Sequence, residues 1–489
     1  MCFDVKRHSF IHKSICKFPF SHLLIQQKQM VSTKDFVLQK ICGSEEKTVQ
    51  IRNRIRKKRS ECFIRKWQII LAGLFAAVLC FSGVAYALGL AEYNFPIKDP
   101  LMATIAGTPP KDELKEHLFR ERVYGIEVFK DKELPPSMRD IQEYKFSLAF
   151  RKGETAPLIF IIPGTGSNYK TGKVRMMQNL FYHAGFHVIC LNSPFTRRFA
   201  AMGSSSNTPG ISSEDAADIY RIMQMAYEEA KKRIAVTDFY LTGYSLGGLN
   251  AAFISELDER EKVFNFKKVL LINPPVDLFA STKVFDDFVT RNLRQRADIF
   301  FDNIFEKASK YFEYKGDVYI DEEFLYDINR IAPLQTDEME GLIGVAFRLA
   351  LANVVFSVDM LTNGGYIKDR DEIITAGSSV TPHFKKVLHW TFEDYLEKIL
   401  LPHWQRSHPS DTREALIQKI SLKSLEKYLK QSGKISVVHN ADDIILNKGD
   451  LDFIRATFGN RAVIYPGGGH LGNILYGPNT EYMLNFFKN

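Results

Sequence analysis

Beyond residue 80 the chain contains a single cysteine, Cys190; Cys2, Cys16, Cys42, Cys62 and Cys80 all lie in or before a hydrophobic run near the amino terminus. One thiol makes no internal disulfide, so the bulk of the chain folds without one, in an oxidising or a reducing compartment alike. A surplus of positive charge is missing from the same part. Residues 1–66 hold sixteen Lys/Arg against five Asp/Glu, a net of +11 against +8 for all 489 residues, so the remainder carries −3. A slightly acidic body excludes a general affinity for nucleic acid. The usual phosphate-binding signatures are absent as well: the glycine-rich stretch Pro163-Gly164-Thr165-Gly166-Ser167-Asn168 has neither the Lys-Ser/Thr ending of a P-loop nor the G-x-G-x-x-G spacing of a dinucleotide site. What remains, 45% hydrophobic and 25% charged, is the composition of a globular protein with a large core.

Residues 1–66 show no sustained period and read as a basic, disordered segment ending in Ile51-Arg52-Asn53-Arg54-Ile55-Arg56-Lys57-Lys58-Arg59 and Arg65-Lys66. The uncharged run 67–91 that follows is, as a helix, long enough to cross the roughly 30 Å hydrocarbon core of a bilayer. Basic residues precede it and Glu92 and Asp99 follow it, so it reads as a transmembrane signal anchor with the amino terminus cytoplasmic and the body periplasmic or extracellular. Trp67 and Tyr93 at its ends fit interfacial aromatics. The alternative is an export signal cleaved after Ala85-Tyr86-Ala87, which would release the body; no lipobox precedes Cys80. Residues 92–140, rich in proline and charge, read as a linker.

From residue 140 apolar strands alternate with amphipathic helices. Pro157–Ile162 is a continuous apolar run of the kind buried on both faces, and Phe186–Leu191, Val236–Leu241 and Lys268–Ile272 read as further strands, with helical patterns over Lys173–Ala184 and Ser213–Arg233. That rhythm predicts a mostly parallel sheet with helices on both faces and ligands at the strands' carboxyl ends. Residues 200–213 read as an exposed Ser/Gly-rich loop. Residues 279–431 have no convincing strand and read as a helical lid insertion over those ends. Its recurring aromatics, among them Phe279, Phe285, Phe288, Phe392, Tyr395 and Trp404, read mainly as its own core; any that line a pocket imply an apolar part in the substrate. The sheet resumes at Lys434–His439 and Arg461–Tyr465, so 140–278 and 432–489 form the core.

Leu241-Thr242-Gly243-Tyr244-Ser245-Leu246-Gly247-Gly248 places G-x-S-x-G between a strand and a helix. A nucleophilic serine must stand clear of its backbone in a sharp turn, and Gly243 and Gly247 remove the side chains that would collide there. Ser245 is the candidate nucleophile. The backbone N–H of Leu246, opening the helix, and that of Thr165, in the glycine-rich loop after a strand, are candidates for holding an oxyanion. His470 follows Gly467-Gly468-Gly469 at the end of the last strand, glycines that leave its imidazole on an accessible loop, and imidazole is the side chain most often used as a general base. An acid at a strand exit completes the set: Asp443 by its offset from the strand end, with neighbouring Asp442 the alternative. His183, His187, His383, His389, His403, His408 and His439 read as structural.

Ser245, Asp443 and His470, in that chain order and each at a predicted strand end, with the oxyanion loop upstream, resemble the α/β-hydrolase superfamily over residues 140–489, closest to its esterase, lipase and serine-aminopeptidase-like branches. One departure is Pro163-Gly164 where many relatives have His-Gly. The resemblance implies an α/β-hydrolase fold and an acyl-enzyme mechanism with no metal and no cofactor. The expectation is a membrane-anchored serine hydrolase of carboxylic esters, lipid-derived ones included. Peptidase, amidase or acyltransferase chemistry on the same fold, and a catalytically dead binding protein, are the alternatives.

Overall fold

The computed structural model describes residues 93–109, 119–130, 132–293, 333–375 and 378–488. The basic segment 1–66, the apolar run 67–91 and part of 279–431 lie outside the described residues.

The elements run α1 (Pro100–Ala106), β1 (Glu121–Ile126), β2 (Tyr144–Ala149), β3 (Thr155–Ile162), α2 (Gly172–His183), β4 (His187–Cys190), α3 (Arg197–Met202), α4 (Ser212–Ala230), β5 (Ala235–Tyr244), α5 (Leu246–Glu261), β6 (Lys268–Ile272), α6 (Leu278–Leu293) and α7 (Thr336–Thr362). Several short helical segments follow between Thr381 and Gln431, then β7 (Ile435–Asn440), α8 (Asp450–Phe458), β8 (Ala462–Tyr465) and α9 (Gly477–Lys488). One eight-stranded sheet has the order β1-β2-β4-β3-β5-β6-β7-β8. β1 and β2, and β2 and β4, pair antiparallel; every other neighbouring pair is parallel.

Parallel strands joined by helical crossovers are covered on both faces, which is why they read as unbroken apolar runs. Leu158 to Ile162 of β3 are all fully buried. Leu158, Phe160 and Ile162 share a core with Ile219, Ile222 and Met223 of α4 and Leu249 and Phe253 of α5. Elsewhere Phe487 of α9 packs edge-on against Phe181 of α2 and Tyr240 of β5.

Two sequence readings are corrected here. Residues 92–140 are more than a linker: they carry α1, with Asp99 accepting from Met102 N at 2.7 Å as its cap and Pro100 in its first turn, and β1, whose full length pairs with β2. Proline and charge obscured both, since β1 is an edge strand with little burial. Residues 200–213 are not an exposed loop. Part of the stretch is helix α3, and Ser204, Thr208 and Ile211 are buried. Carboxylates of α4 hold this backbone down: Asp218 accepts from Ser205 N at 2.8 Å and Asp215 from Gly210 N at 2.9 Å.

The region between β6 and β7 is helical where described. α7 is the one described helix long and apolar enough to cross a membrane by length and composition. It is a packed helix all the same: Leu351, Ala352, Val354 and Val355 are fully buried, and it contacts α6, α3 and α1. Asp286 of α6 and Arg348 of α7, both buried, form an ion pair at 2.9 Å; Arg348 also donates to Leu388 O, and Asp286 accepts from Phe392 N.

Candidate active site

The carboxyl ends of the parallel strands bring the candidate residues to one edge of the sheet. β3 runs into Pro163-Gly164-Thr165, β5 into Ser245, β6 into Asn273, β7 into Asp443 and β8 into the loop of His470. Ser245 sits at φ 52°, ψ −127°, outside the regions that L-residues favour, a conformation that costs roughly 1–3 kcal/mol and must be imposed by its surroundings. The constraint is visible in two glycines. A Cβ on Gly243 would lie 2.2 Å from Gly247 O, and one on Gly247 would lie 2.1 Å from Ile162 O, backbone in both cases. Ser245 N donates to Ile272 O at 2.9 Å, tying the turn to β6.

Ser245 Oγ lies 2.9 Å from His470 Nε2, and His470 Nδ1 lies 3.0 Å from each carboxylate oxygen of Asp443. With Nδ1 facing only a carboxylate, that nitrogen carries the proton and Nε2 accepts from the serine. All three residues are buried. Burial pushes the Asp443 carboxyl up, but the His470 imidazole beside it, with the Asn273 amide, outweighs this and holds it below the ordinary carboxylate value. Asp443 is therefore charged at neutral pH.

Asp442 faces elsewhere. Its carboxylate accepts from Gly469 N at 2.9 Å and Gly468 N at 3.2 Å, so it pins the loop that carries His470. Burial raises its carboxyl, partly countered by those two N–H groups. Of the two adjacent acids, Asp443 contacts the imidazole and Asp442 holds the imidazole's backbone.

The N–H groups of Thr165 and Leu246 donate to no protein acceptor among the described residues. Leu246 opens α5, where the first turn's N–H groups have no partner within the helix. Gly164 lets the two loops meet, because a Cβ there would lie 2.9 Å from the Ser245 Cβ. Thr165 and Leu246 both line a narrow, mostly apolar cavity of about 50 Å³ whose wall includes Leu278, Phe279, Phe392, Tyr395 and Leu400. Three of the aromatics from 279–431 thus face a cavity, while Phe285, Phe288 and Trp404 are buried in the cores.

Some supporting residues escaped the sequence reading. Asn273, in the left-handed region at φ 44°, donates from Nδ2 to Asp443 Oδ2 at 2.7 Å. Its place at the exit of β6, beside the other strand exits, was the available signal. Tyr93, read as a membrane-interface ring, is instead packed on the histidine loop: it stacks on Tyr465 at 4.4 Å between centroids, donates to Gly467 O and accepts from Asn473 Nδ2. Thr104 of α1 accepts from His470 N at 2.8 Å. No local pattern announces these contacts, which join residues more than 360 positions apart. His439 is fully buried; its Nε2 lies 3.1 Å from Pro274 O while Asn440 N donates to its Nδ1, which sets a neutral ring. Burial also lowers its pKa.

The eight-stranded order with two antiparallel pairings at one end, the serine turn after β5, the acid after β7 and the histidine after β8 are together the topology of the α/β-hydrolase fold. No family model matches the chain. No curated protein sequence matches it either. Among solved structures it is similar to a thioesterase domain from the curacin biosynthetic pathway, at 13% identity and a TM-score of 0.35 over 76% of this chain and 100% of that one. It is also similar to Est1E from Butyrivibrio proteoclasticus, at 13% identity and 0.32 over 71% and 96%. A third, the acylaminoacyl peptidase of Pyrococcus horikoshii, matches at 11% identity and 0.36 over 76% of this chain and 41% of that one.

Proposed function

We propose that the protein is a serine hydrolase of carboxylic esters. The observation that carries this reading is the continuous hydrogen-bonded line from the Ser245 hydroxyl through His470 to Asp443, at 2.9 and 3.0 Å, beside two uncommitted N–H groups. His470 takes the serine proton at Nε2 as Oγ attacks the ester carbonyl, and Asp443 stabilises the imidazolium. The N–H groups of Thr165 and Leu246 hold the oxyanion. As the C–O bond breaks, His470 returns the proton to the leaving alcohol; water then attacks the acyl-serine by the same route and frees the acid. The apolar cavity beside Leu246 supports an acyl group as the part bound there. No step calls on a metal or cofactor.

The apolar run 67–91, flanked by basic residues on one side, supports a membrane-anchored protein with its body on the non-cytoplasmic side. Both parts are tested on the full chain, by labelling washed membranes with a fluorophosphonate probe. Labelling in the membrane fraction and its loss in Ser245→Ala are expected. A folded wild-type protein that takes no label overturns the nucleophile, and label confined to the soluble fraction overturns the anchor.

A further inference from the structure

A second, larger cavity opens from the same point. It measures about 680 Å³ and shares Thr165 and Phe195 with the narrow apolar one, so the two diverge from the oxyanion loop. Only the narrow cavity also includes Leu246. If the acyl carbonyl lies against both N–H groups, the chain enters the narrow arm and the other half of the ester faces the wide one.

The walls of the two arms differ in kind. Lys170, Arg197 and Arg198 line the wide arm together with Asn353 and other polar residues, and no carboxylate lines it among the described residues. Arg197 is compensated by Asp140, which it grips through both oxygens at 2.9 and 3.1 Å. Lys170 is not, and Arg198 feels the same Asp140 carboxylate only at longer range, without an ion-pair contact. Among the described residues no carboxylate pairs with either; Arg198 donates to Glu143 O, and Lys170 stands over the Tyr169 ring. An open polar cavity whose lining includes both a guanidinium and an ammonium residue, with no carboxylate among the described lining, matches an anionic group of two or three oxygens.

The geometry points to a subsite in the wide arm for an anionic leaving group: an ester whose alcohol half carries a phosphate or a carboxylate. This rests on the hydrolase reading of Ser245, and deepens it by assigning the substrate's two halves to two arms. The anion takes no part in the chemistry; the alcohol oxygen still leaves with the proton from His470.

The test compares three butanoyl esters of one skeleton, those of glycerol, glycerol 3-phosphate and glyceric acid, and measures the binding of glycerol 3-phosphate to the Ser245→Ala protein by calorimetry. At low salt, kcat/KM for at least one anionic ester exceeds that of the neutral ester by about tenfold, the worth of one charge-assisted contact, and the ratio falls as salt rises. The higher of the two anionic rates identifies the group. In Lys170→Gln/Arg198→Gln, and less so in Lys170→Gln alone, the ratio approaches one and glycerol 3-phosphate binding is lost. Equal rates on all three esters with no glycerol 3-phosphate binding overturn the subsite and leave the hydrolase reading standing. Binding that depends on Lys170 and Arg198 in a protein that cleaves none of the esters overturns the hydrolase reading and leaves the subsite.

Discussion

Asp442 and Asp443 are neighbours in sequence with different tasks, and the division follows from which way each side chain leaves the exit of β7. Asp443 turns inward to His470, His439 and Asn273; Asp442 turns to the amides of Gly468 and Gly469. The carboxylate beside His470 thus has further, uncharged donors in the Asn273 amide and the Ile445 N–H. Asn273→Gly keeps a residue tolerant of the left-handed backbone and removes only the amide. Loss of a hydrogen bond to a charged group, about 1.5–3 kcal/mol, is expected to lower kcat on a short ester by about ten- to a hundredfold with little change in KM. Steady-state kinetics decide this, and an unchanged kcat would mean that His470 and the Ile445 N–H suffice to hold the carboxylate.

At the scale of elements, the junction of β5 with α5 brings backbone against backbone. Gly247 lies so close to the end of β3 that a methyl group meets the Ile162 carbonyl at 2.1 Å, and two backbones cannot both give way. Gly247→Ala is expected to cost about 3 kcal/mol or more, whereas Gly172→Ala, in open space at the start of α2 with no positive φ, is expected to stabilise by about 0.4–1 kcal/mol. Urea unfolding of both variants gives the comparison; similar midpoints would refute the packing account. The α1 segment is the other element whose role exceeds its size, since Tyr93 and Thr104 hold the backbone around His470 from outside the sheet.

For the whole molecule, the helices between β6 and β7 are fastened by a buried charge pair. Arg348 and Asp286 join α6 to α7 and, through Leu388 O and Phe392 N, to the chain beyond. Burial raises the Asp286 carboxyl, and Arg348 opposes that. Removing one partner strands the other, so Arg348→Met is expected to destabilise by about 3–5 kcal/mol, and Arg348→Met/Asp286→Leu by much less. Denaturant melts of the two variants measure the difference. A double variant as unstable as the single would show that the hydrogen bonds to Leu388 and Phe392, not the charges, are what matters.

The chain's own order of residues determined the parallel core. Runs such as Pro157–Ile162 are apolar without alternation because both faces are covered, and that pattern is local and legible. The serine turn was legible too, since its glycines answer a steric need within five residues. Which of Asp442 and Asp443 meets the His470 imidazole, the amide of Asn273, the grip of Tyr93 and Thr104 on the histidine loop, and β1 at the sheet edge are legible only in the tertiary structure. Each depends on which groups meet across hundreds of residues, and a hydrogen bond formed at that range leaves no period or spacing in the sequence to read.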